Sequence, residues 1–370
     1  MSPLRIGTRG SALALWKARH VQQRLASLGH SATLHEITTT GDRLQDRRLE
    51  AVGGKGAFLK EIEEALLADE VDLAVHSLKD VPTALPTGLA LVAILERADP
   101  RDVLVSGGAR LADLRAGARV GTTSLRRRSL VRALRPELEI EDLRGNVDTR
   151  LRRLREGRFD AILLAMAGLG RLGRAGEATE VLDPREFVPA PGQGAIAIEC
   201  RTSDAAVRAA VAPLDHEATA RAVAAERAFL AALGGGCNVP LGAHAFGAGP
   251  GGELELVGFV AGPDGSGLLR GERRGSDPVA LGRALADDLV ARGARELIAP
   301  ASPQAGRSAH SRAGASSSRA RRARLARSWS DCRRRERSSS RCPRSRSSRR
   351  RTPARSTRRS SRSKATTGSC

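Results

Sequence analysis

Two kinds of residue in this 370-residue chain have the type and the setting to do chemistry. One is a single thiol. The stretch Leu233-Gly234-Gly235-Gly236-Cys237-Asn238-Val239-Pro240 delivers Cys237 just past Glu217 to Leu233, an alanine-rich segment free of Gly and Pro that its spacing predicts as a helix. Glycines without a Cβ permit a left-handed exit from that helix and close approach by a ligand, and Pro240 stops a new helix from starting at once. A lone cysteine after a helix end is more often a small buried hydrophobe than a reactive group. Other residues must decide between the two.

The second kind is cationic. Arg9, Arg126, Arg127, Arg144, Arg150 and Arg171 follow strand candidates or open helix candidates. A cation at a helix N-terminus opposes the dipole by about 0.3 to 1 kcal/mol, so a set of them calls for a compensating anion. Any one of these arginines reads better as a solvated surface residue or an ion pair with a neighbouring acid. Together they suit a ligand with several carboxylates, because the planar guanidinium fork matches a carboxylate with two parallel hydrogen bonds. Beside them, His76-Ser77-Leu78-Lys79-Asp80-Val81-Pro82 follows a buried-type strand and offers Asp80 as an acid or base, with Lys79 adding positive charge. The competing reading of Asp80 is a turn residue before Pro82, and His76 reads as a structural histidine. Gly53-Gly54-Lys55-Gly56 lacks the spacing of a nucleotide-binding loop.

Short apolar runs alternating with amphipathic segments must position these groups. Strands are expected at Leu4 to Gly7, Ala32 to Thr39, Val71 to Val75 and Leu89 to Leu95, with a helix from Ala12 to Leu28 whose inner side carries Leu13, Trp16, Val21, Leu25 and Leu28. A second unit repeats the rhythm, with strands at Arg119 to Gly121, Leu138 to Leu143 and Phe159 to Ala165. Two α/β units in tandem imply a cleft, with polar residues at the carboxyl ends of strands facing it. Pro189 to Gly194, leading into a strand at Ala195 to Glu199, reads as a hinge across that cleft. Glu253 to Val260 and Gly267 to Arg274 read as a hairpin, and Val279 to Arg292 as its covering helix.

Charge divides the chain. The formal net charge of +21 is concentrated beyond residue 300, and the first 300 residues are nearly neutral. That excludes a body built to bind nucleic acid. The Ser/Arg-rich tail, without hydrophobic periodicity, is expected to be disordered. It has the charge to attract RNA or DNA, but its abrupt change of composition reads more plainly as an out-of-frame or otherwise non-native extension. Among Cys200, Cys237, Cys332, Cys342 and Cys370 no spacing suits a metal or a disulfide framework. There is no signal-peptide pattern, and the longest apolar run, Ala161 to Leu169, is too short for a bilayer. The expectation is a soluble cytoplasmic monomer with reduced thiols.

Taken in order, Thr8-Arg9-Gly10-Ser11-Ala12-Leu13-Ala14-Leu15-Trp16, Gly53-Gly54-Lys55-Gly56, Ala74 to Pro82, Gly121-Thr122-Thr123-Ser124-Leu125-Arg126-Arg127, Leu143-Arg144-Gly145-Asn146-Val147, Pro191-Gly192-Gln193-Gly194 and Gly234-Gly235-Gly236-Cys237 resemble the motif series of the porphobilinogen deaminase (hydroxymethylbilane synthase) family. The resemblance spans about residues 4 to 299, and its order makes it far more specific than any one motif. It implies a transferase of tetrapyrrole biosynthesis that condenses four porphobilinogen molecules head to tail and releases ammonia each time. The growing chain is carried on a dipyrromethane cofactor joined by a thioether to the cysteine matching Cys237. Asp80 matches the catalytic carboxylate. Lys55, Lys79, Thr122, Ser124, Arg126, Arg127 and Arg144 match cofactor-binding positions, and Arg9, Ser11, Arg144, Arg150, Arg171 and Gln193 match substrate-binding ones. Ala51 stands where some members carry a lysine, so that contact is left unassigned.

The fold expected is two similar periplasmic-binding-protein-like α/β domains around a cleft (1–98 with 195–214, and 99–194). A smaller α+β domain (215–300) and the tail (301–370) follow. The alternative to an enzyme is a non-catalytic polyanion-binding protein, which would need neither Cys237 nor Asp80.

Overall fold

Apolar runs between polar segments become strands that fall into three sheets, and strands such as Leu73–Ser77, Asp102–Ser106, Ala161–Ala165 and Ile196–Arg201 at the middle of the first two are almost wholly buried. The computed structural model describes residues 2–43, 59–234, 239–247, 252–262, 265 and 267–298. All of these lie in one unit, Met1–Gly306, and a second unit, Arg307–Cys370, falls wholly outside the described residues, as do Lys55 and Cys237.

The first sheet contains β1 (Leu4–Thr8), β2 (Ala32–Glu36), β3 (Leu73–Ser77), β4 (Leu89–Ile94) and β10 (Ile196–Arg201), in the order β2-β1-β3-β10-β4. The second contains β5 (Asp102–Ser106), β6 (Arg119–Gly121), β7 (Glu139–Glu141), β8 (Ala161–Ala165) and β9 (Glu180–Val181), in the order β7-β6-β8-β5-β9. The pattern is the same in both, with one antiparallel strand in fourth place among parallel ones. In the first sheet that strand is β10, which arrives from the second; in the second it is β5, which arrives from the first. The chain therefore crosses between the sheets twice. Antiparallel strands β11 (Leu241–Gly247), β12 (Leu254–Ala261) and β13 (Leu268–Gly275) form the third sheet.

Helices cover both faces of the first two sheets. Around the first are α1 (Ala12–Ser27), α2 (Thr40–Arg43), α3 (Lys60–Leu67) and α7 (Ala205–Val211); around the second, α4 (Leu125–Leu134), α5 (Val147–Arg155) and α6 (Met166–Arg171). On β5, Val103 and Val105 enter one core with Leu151 and Ile162, whereas Leu104 enters another with Leu130 and Phe187. Burial on both sides is why these strands read as continuous apolar runs rather than alternating ones. The third sheet packs on α8 (Glu217–Ala232) and α9 (Pro278–Ala291), with α10 (Ala294–Ile298) following.

Several expectations shift. The buried stripe of α1 is Ala14, Lys17, Ala18, Val21 and Leu25; Leu13 and Trp16 are only half-buried and Leu28 is exposed beyond the helix end. The stripe is rotated because α1 also faces α6, where the Arg171 guanidinium lies 5.7 Å from the Trp16 ring centroid. Strand β3 runs two residues later than expected, since Ser77 and His76 pair with Ile196 and Ala197. The strand expected at Leu138 to Leu143 shrinks to Glu139–Glu141. The hairpin at Glu253 to Arg274 has a third partner, β11, whose sequence Leu-Gly-Ala-His-Ala-Phe-Gly lacks the β-branched residues that mark strands; seven paired positions on β12 override that weak propensity. Part of its turn, at Pro263, Asp264 and Ser266, falls outside the described residues.

Helices α8 and α9 touch at backbone distance. A Cβ on Gly282 would lie 2.3 Å from the Ala225 carbonyl oxygen and 2.7 Å from Ala228 Cβ. That contact holds the helix whose end leads through Gly234 toward Cys237. Gly282→Ala is expected to separate the two helices and lower stability by about 1 to 3 kcal/mol in urea denaturation, as overpacking does; an unchanged midpoint would contradict this packing.

Candidate functional site

Parallel strands in register end at one edge, so the chemistry-bearing residues that follow β1 and β3 converge. Arg9 and Ser11 follow β1, and a single 3-10 turn, Leu78–Asp80, follows β3 with Leu78 buried beneath it. Ser11 caps α1 by its backbone alone, and its side chain makes no capping hydrogen bond. Arg9 reaches Asp42 through Nε and Nη2. Burial opposes ionisation of Asp42, but Arg9 and Thr39 outweigh it and hold the carboxyl below its usual range.

Asp80 lies among cations drawn from both sheets. Its charge raises the proton affinity of Lys17 on α1 and of Arg150 on α5. Burial pushes both down: Lys17 to about 7 and Arg150 to about 10. Burial likewise lowers Arg171 to about 10. Arg171 closes the last turn of α6 rather than opening a helix, and its Nη2 donates to the Gly194 carbonyl at 2.6 Å. Arg150 Nε donates to the Gly145 carbonyl at 2.8 Å, just before Asn146, which caps α5 by accepting from Thr149 N. Arg144 is half-buried in the same loop. Arg9, Lys79, Asp80, Arg150 and Arg171 are thus brought together. Lys17, buried and donating from Nζ to Ser77 Oγ at 2.9 Å, joins them without having been singled out by its motif.

Arg126 and Arg127 have a different setting. Both are buried at the start of α4 and both bind Asp102, the first residue of β5: Arg126 Nη1 to Oδ2 at 2.6 Å and Arg127 Nη2 to Oδ1 at 2.7 Å. Each also donates to a backbone carbonyl, Arg126 to Val188 and Arg127 to Leu163. The compensating anion that cations at a helix start require is therefore internal here. Burial disfavours the Asp102 charge, yet the two guanidiniums prevail and keep its carboxyl far below the usual carboxylate range. Gln193 is buried with them, its Nε2 donating to Pro100 O at 2.7 Å and Asp102 Oδ1 at 3.1 Å while Oε1 accepts from Lys79 at 3.4 Å. Thr122 is fully buried and accepts from Ser124 N, and Ser124 in turn accepts from Arg127 N as the cap of α4.

The two crossings run side by side between the sheets. A Cβ on Gly194, at φ +91, would meet the Ala98 carbonyl oxygen at 2.4 Å, so only glycine allows this approach. Glu226 on α8 ties both crossings to the third sheet. It binds Arg97 Nη1 at 2.6 Å and accepts from Gly192 N at 2.7 Å and Ala245 N at 2.9 Å, with His244 Nδ1 at 3.2 Å. Neither Asp102 nor Glu226 stood out in the sequence. The signals were weak: an Arg-Asp pair, Arg101-Asp102, at the head of Val103-Leu104-Val105, and Glu226-Arg227 in an Ala-rich helix. His76, as expected, is structural, with Nε2 at 2.9 Å from the buried Glu199.

Two family models cover this architecture. One described as "Porphobilinogen deaminase, dipyromethane cofactor binding domain" matches residues 4–209, and one described as "Porphobilinogen deaminase, C-terminal domain" matches residues 220–291. The chain belongs to the porphobilinogen deaminase family. It is 53% identical over 299 residues to porphobilinogen deaminase of Roseiflexus sp. (strain RS-1), covering 80% of this chain and 98% of that protein. With the Thiobacillus denitrificans porphobilinogen deaminase it shares 52% identity over 303 residues (80% and 98%), and with that of Brevibacillus brevis 49% over 302 residues (81% and 97%). A periplasmic substrate-binding protein of an ABC transporter from Coxiella burnetii overlaps 57% of this chain and 91% of its own at 14% identity and a TM-score of 0.37. The fold rests on the paired sheet orders rather than on that overlap.

Membership decides between the enzyme and a non-catalytic polyanion binder in favour of the porphobilinogen deaminase. The donor set fits the family's dipyrromethane cofactor, since guanidiniums and ammonium groups near the Asp80 carboxylate suit a group that carries several carboxylates and pyrrole N–H donors. Among the described residues there is no His/Cys/Asp/Glu cluster that could hold a metal.

Two stability predictions follow the buried carboxylates. Asp102→Asn leaves two buried guanidiniums uncompensated and is expected to cost about 3 to 5 kcal/mol in urea denaturation; a variant as stable as wild type would show that the pair does not depend on it. Glu226 is held at about 2 by Arg97 and His244 against the opposing effect of burial. A depressed carboxylate stabilises the fold above its ordinary range and loses that contribution as pH falls through its folded value. The stability deficit of Glu226→Gln should accordingly be largest near neutrality and shrink as the pH drops toward about 2. A deficit that stays constant over that window would contradict the ionised pair.

Proposed function

We propose that this chain condenses four porphobilinogen molecules head to tail into hydroxymethylbilane, releasing one ammonia for each. The observation that carries the reading is the placement of Asp80. A carboxylate at the end of β3 has its charge felt by cations on α1 and on α5, and so stands where two sheets face one another.

The dipyrromethane cofactor, when bound, supplies the primer on which the pyrrole chain is extended, and Cys237 is the thiol we assign to hold it. Arg9, Arg144, Arg150 and Arg171, with Lys55, Lys79 and Ser11, bind the acetate and propionate side chains of the pyrroles. A guanidinium held by burial and by backbone carbonyls has few alternative geometries, so it orients a ring as well as attracting it. Asp80 accepts a hydrogen bond from a pyrrole N–H. Its negative charge stabilises the positive charge that develops in the ring as the aminomethyl nitrogen departs as ammonia. Arg126, Arg127, Thr122, Ser124 and Gln193 shape the second sheet's edge of the site, with Asp102 fixing their orientation.

The three sheets support three domains with the boundaries expected from the sequence, joined by the two crossings. No described helix is long and apolar enough to cross a membrane. We assign the chain to the cytoplasm as a monomer that acts without nucleic acid. Purified enzyme is expected to release ammonia from porphobilinogen. In Asp80→Asn, which keeps the shape and loses the charge, kcat should fall by about 100- to 10,000-fold. Wild-type ammonia release by that variant would overturn the role of Asp80.

A further inference from the structure

Lys17 is the least explained charge in the site. It lies in the second turn of α1, on the buried stripe where Ala14, Ala18, Val21 and Leu25 pack against the first sheet. Lysine is rarely so enclosed without a carboxylate to pair with. Here the described residues place none within ion-pair distance of Nζ, whose hydrogen bond goes to the hydroxyl of Ser77 at 2.9 Å. An ammonium has three donors, and one hydroxyl satisfies one of them.

The charged groups around Lys17 come from every element near it. Asp80 and Lys79 are on the turn after β3, Arg9 follows β1, and Arg171 ends α6. Three are cations and repel a proton on Nζ, Arg9 while itself paired with Asp42; Asp80 attracts one. On the neighbouring strand positions His76 is already engaged with Glu199, and His20, one turn along α1, stacks on Trp16 at 5.2 Å. An amine so placed gives up its proton unless something anionic enters. Porphobilinogen brings an acetate and a propionate, and these neutralise the same cations that hold the proton off.

We propose that Lys17 is a proton-linked ligand-binding residue: its Nζ, held at Ser77 beside Asp80, takes up a proton from solvent as the carboxylates of a pyrrole ligand seat in the cleft. This rests on the family's substrate and deepens it, because it assigns to the free site a neutral amine and to the loaded site an ammonium. The proton balance is one proton from buffer onto Nζ for each ligand bound. Burial, first, and the surrounding cations set Lys17 at about 7 before binding, with Asp80 acting against them. Uptake therefore grows as the pH rises above that value and vanishes below it, where the amine is already charged.

The test is isothermal titration of the cofactor-loaded enzyme with a porphobilinogen analogue lacking the aminomethyl group, which binds without deaminating. Titrations in two buffers of different ionisation enthalpy give the protons taken up per ligand. Wild type is expected to take up nearly one proton at about pH 8 and close to none at about pH 6. Lys17→Met should lose the uptake and bind more weakly. Lys17→Arg, always charged, should bind at least as tightly with no uptake at either pH, a separation that a merely structural role does not produce. His20→Gln should behave as wild type. Binding without proton uptake at the higher pH, or uptake that persists in Lys17→Met or disappears in His20→Gln, overturns the assignment to Lys17 and leaves the family reading intact. No binding in any variant or in wild type overturns both.

Discussion

A single ionised carboxylate at the head of β5 organises the second half of the cleft. Asp102 is fully buried, and it is charged only because two guanidiniums and a side-chain amide surround it. A buried ion pair of this kind adds little net stability over an apolar core, but removing one member leaves a charge with no solvent. What the cluster contributes is geometry. It draws the start of α4 onto the first residue of β5, and through Gln193 it grips Pro100 and the neighbourhood of Lys79. The two crossings between the sheets, the helix start and the turn bearing Asp80 are thereby referred to one point.

The consequence for chemistry lies in where the other cations stand. Asp102 takes the charge of Arg126 and Arg127, whereas Lys17 and Arg150, from different sheets, both feel the charge of Asp80. Their burial is costly and also makes them effective, since a carboxylate entering such a site meets less solvent screening than it would on the surface. Glu226 does for the third sheet what Asp102 does for the second. By holding Arg97, the Gly192 N–H and the Ala245 N–H it locks α8 against the crossings.

Much of this was legible in the sequence because strand ends and helix starts carry local signals. Asp80, Arg9 and Arg150 stood out by their positions after apolar runs, but position alone favoured a turn residue for Asp80 and a surface ion pair for each arginine, and the motif series was needed to assign them to a site; the repeat of strand and helix foretold two similar units. The roles of Arg126 and Arg127 were not legible in full, since the partner that takes their charge sits 24 and 25 residues away at the head of an unremarked five-residue strand. Lys17 was hidden for another reason. It falls one residue past the motif ending in Trp16, and only the rotation of α1 against α6 turns it inward. Strand β11 was missed because its stability comes from pairing with β12 rather than from its own residues.

The claim on which the account depends is that a site rich in cations, built around Asp80, serves a pyrrole chain anchored on Cys237. Intact mass of the purified full-length protein, with peptide mapping across Cys237, tests it most directly. The account predicts a covalent dipyrromethane adduct on the Cys237 peptide, absent from Cys237→Ser and formed on incubating any unmodified protein with porphobilinogen. A Cys237 that stays unmodified after that incubation would contradict it.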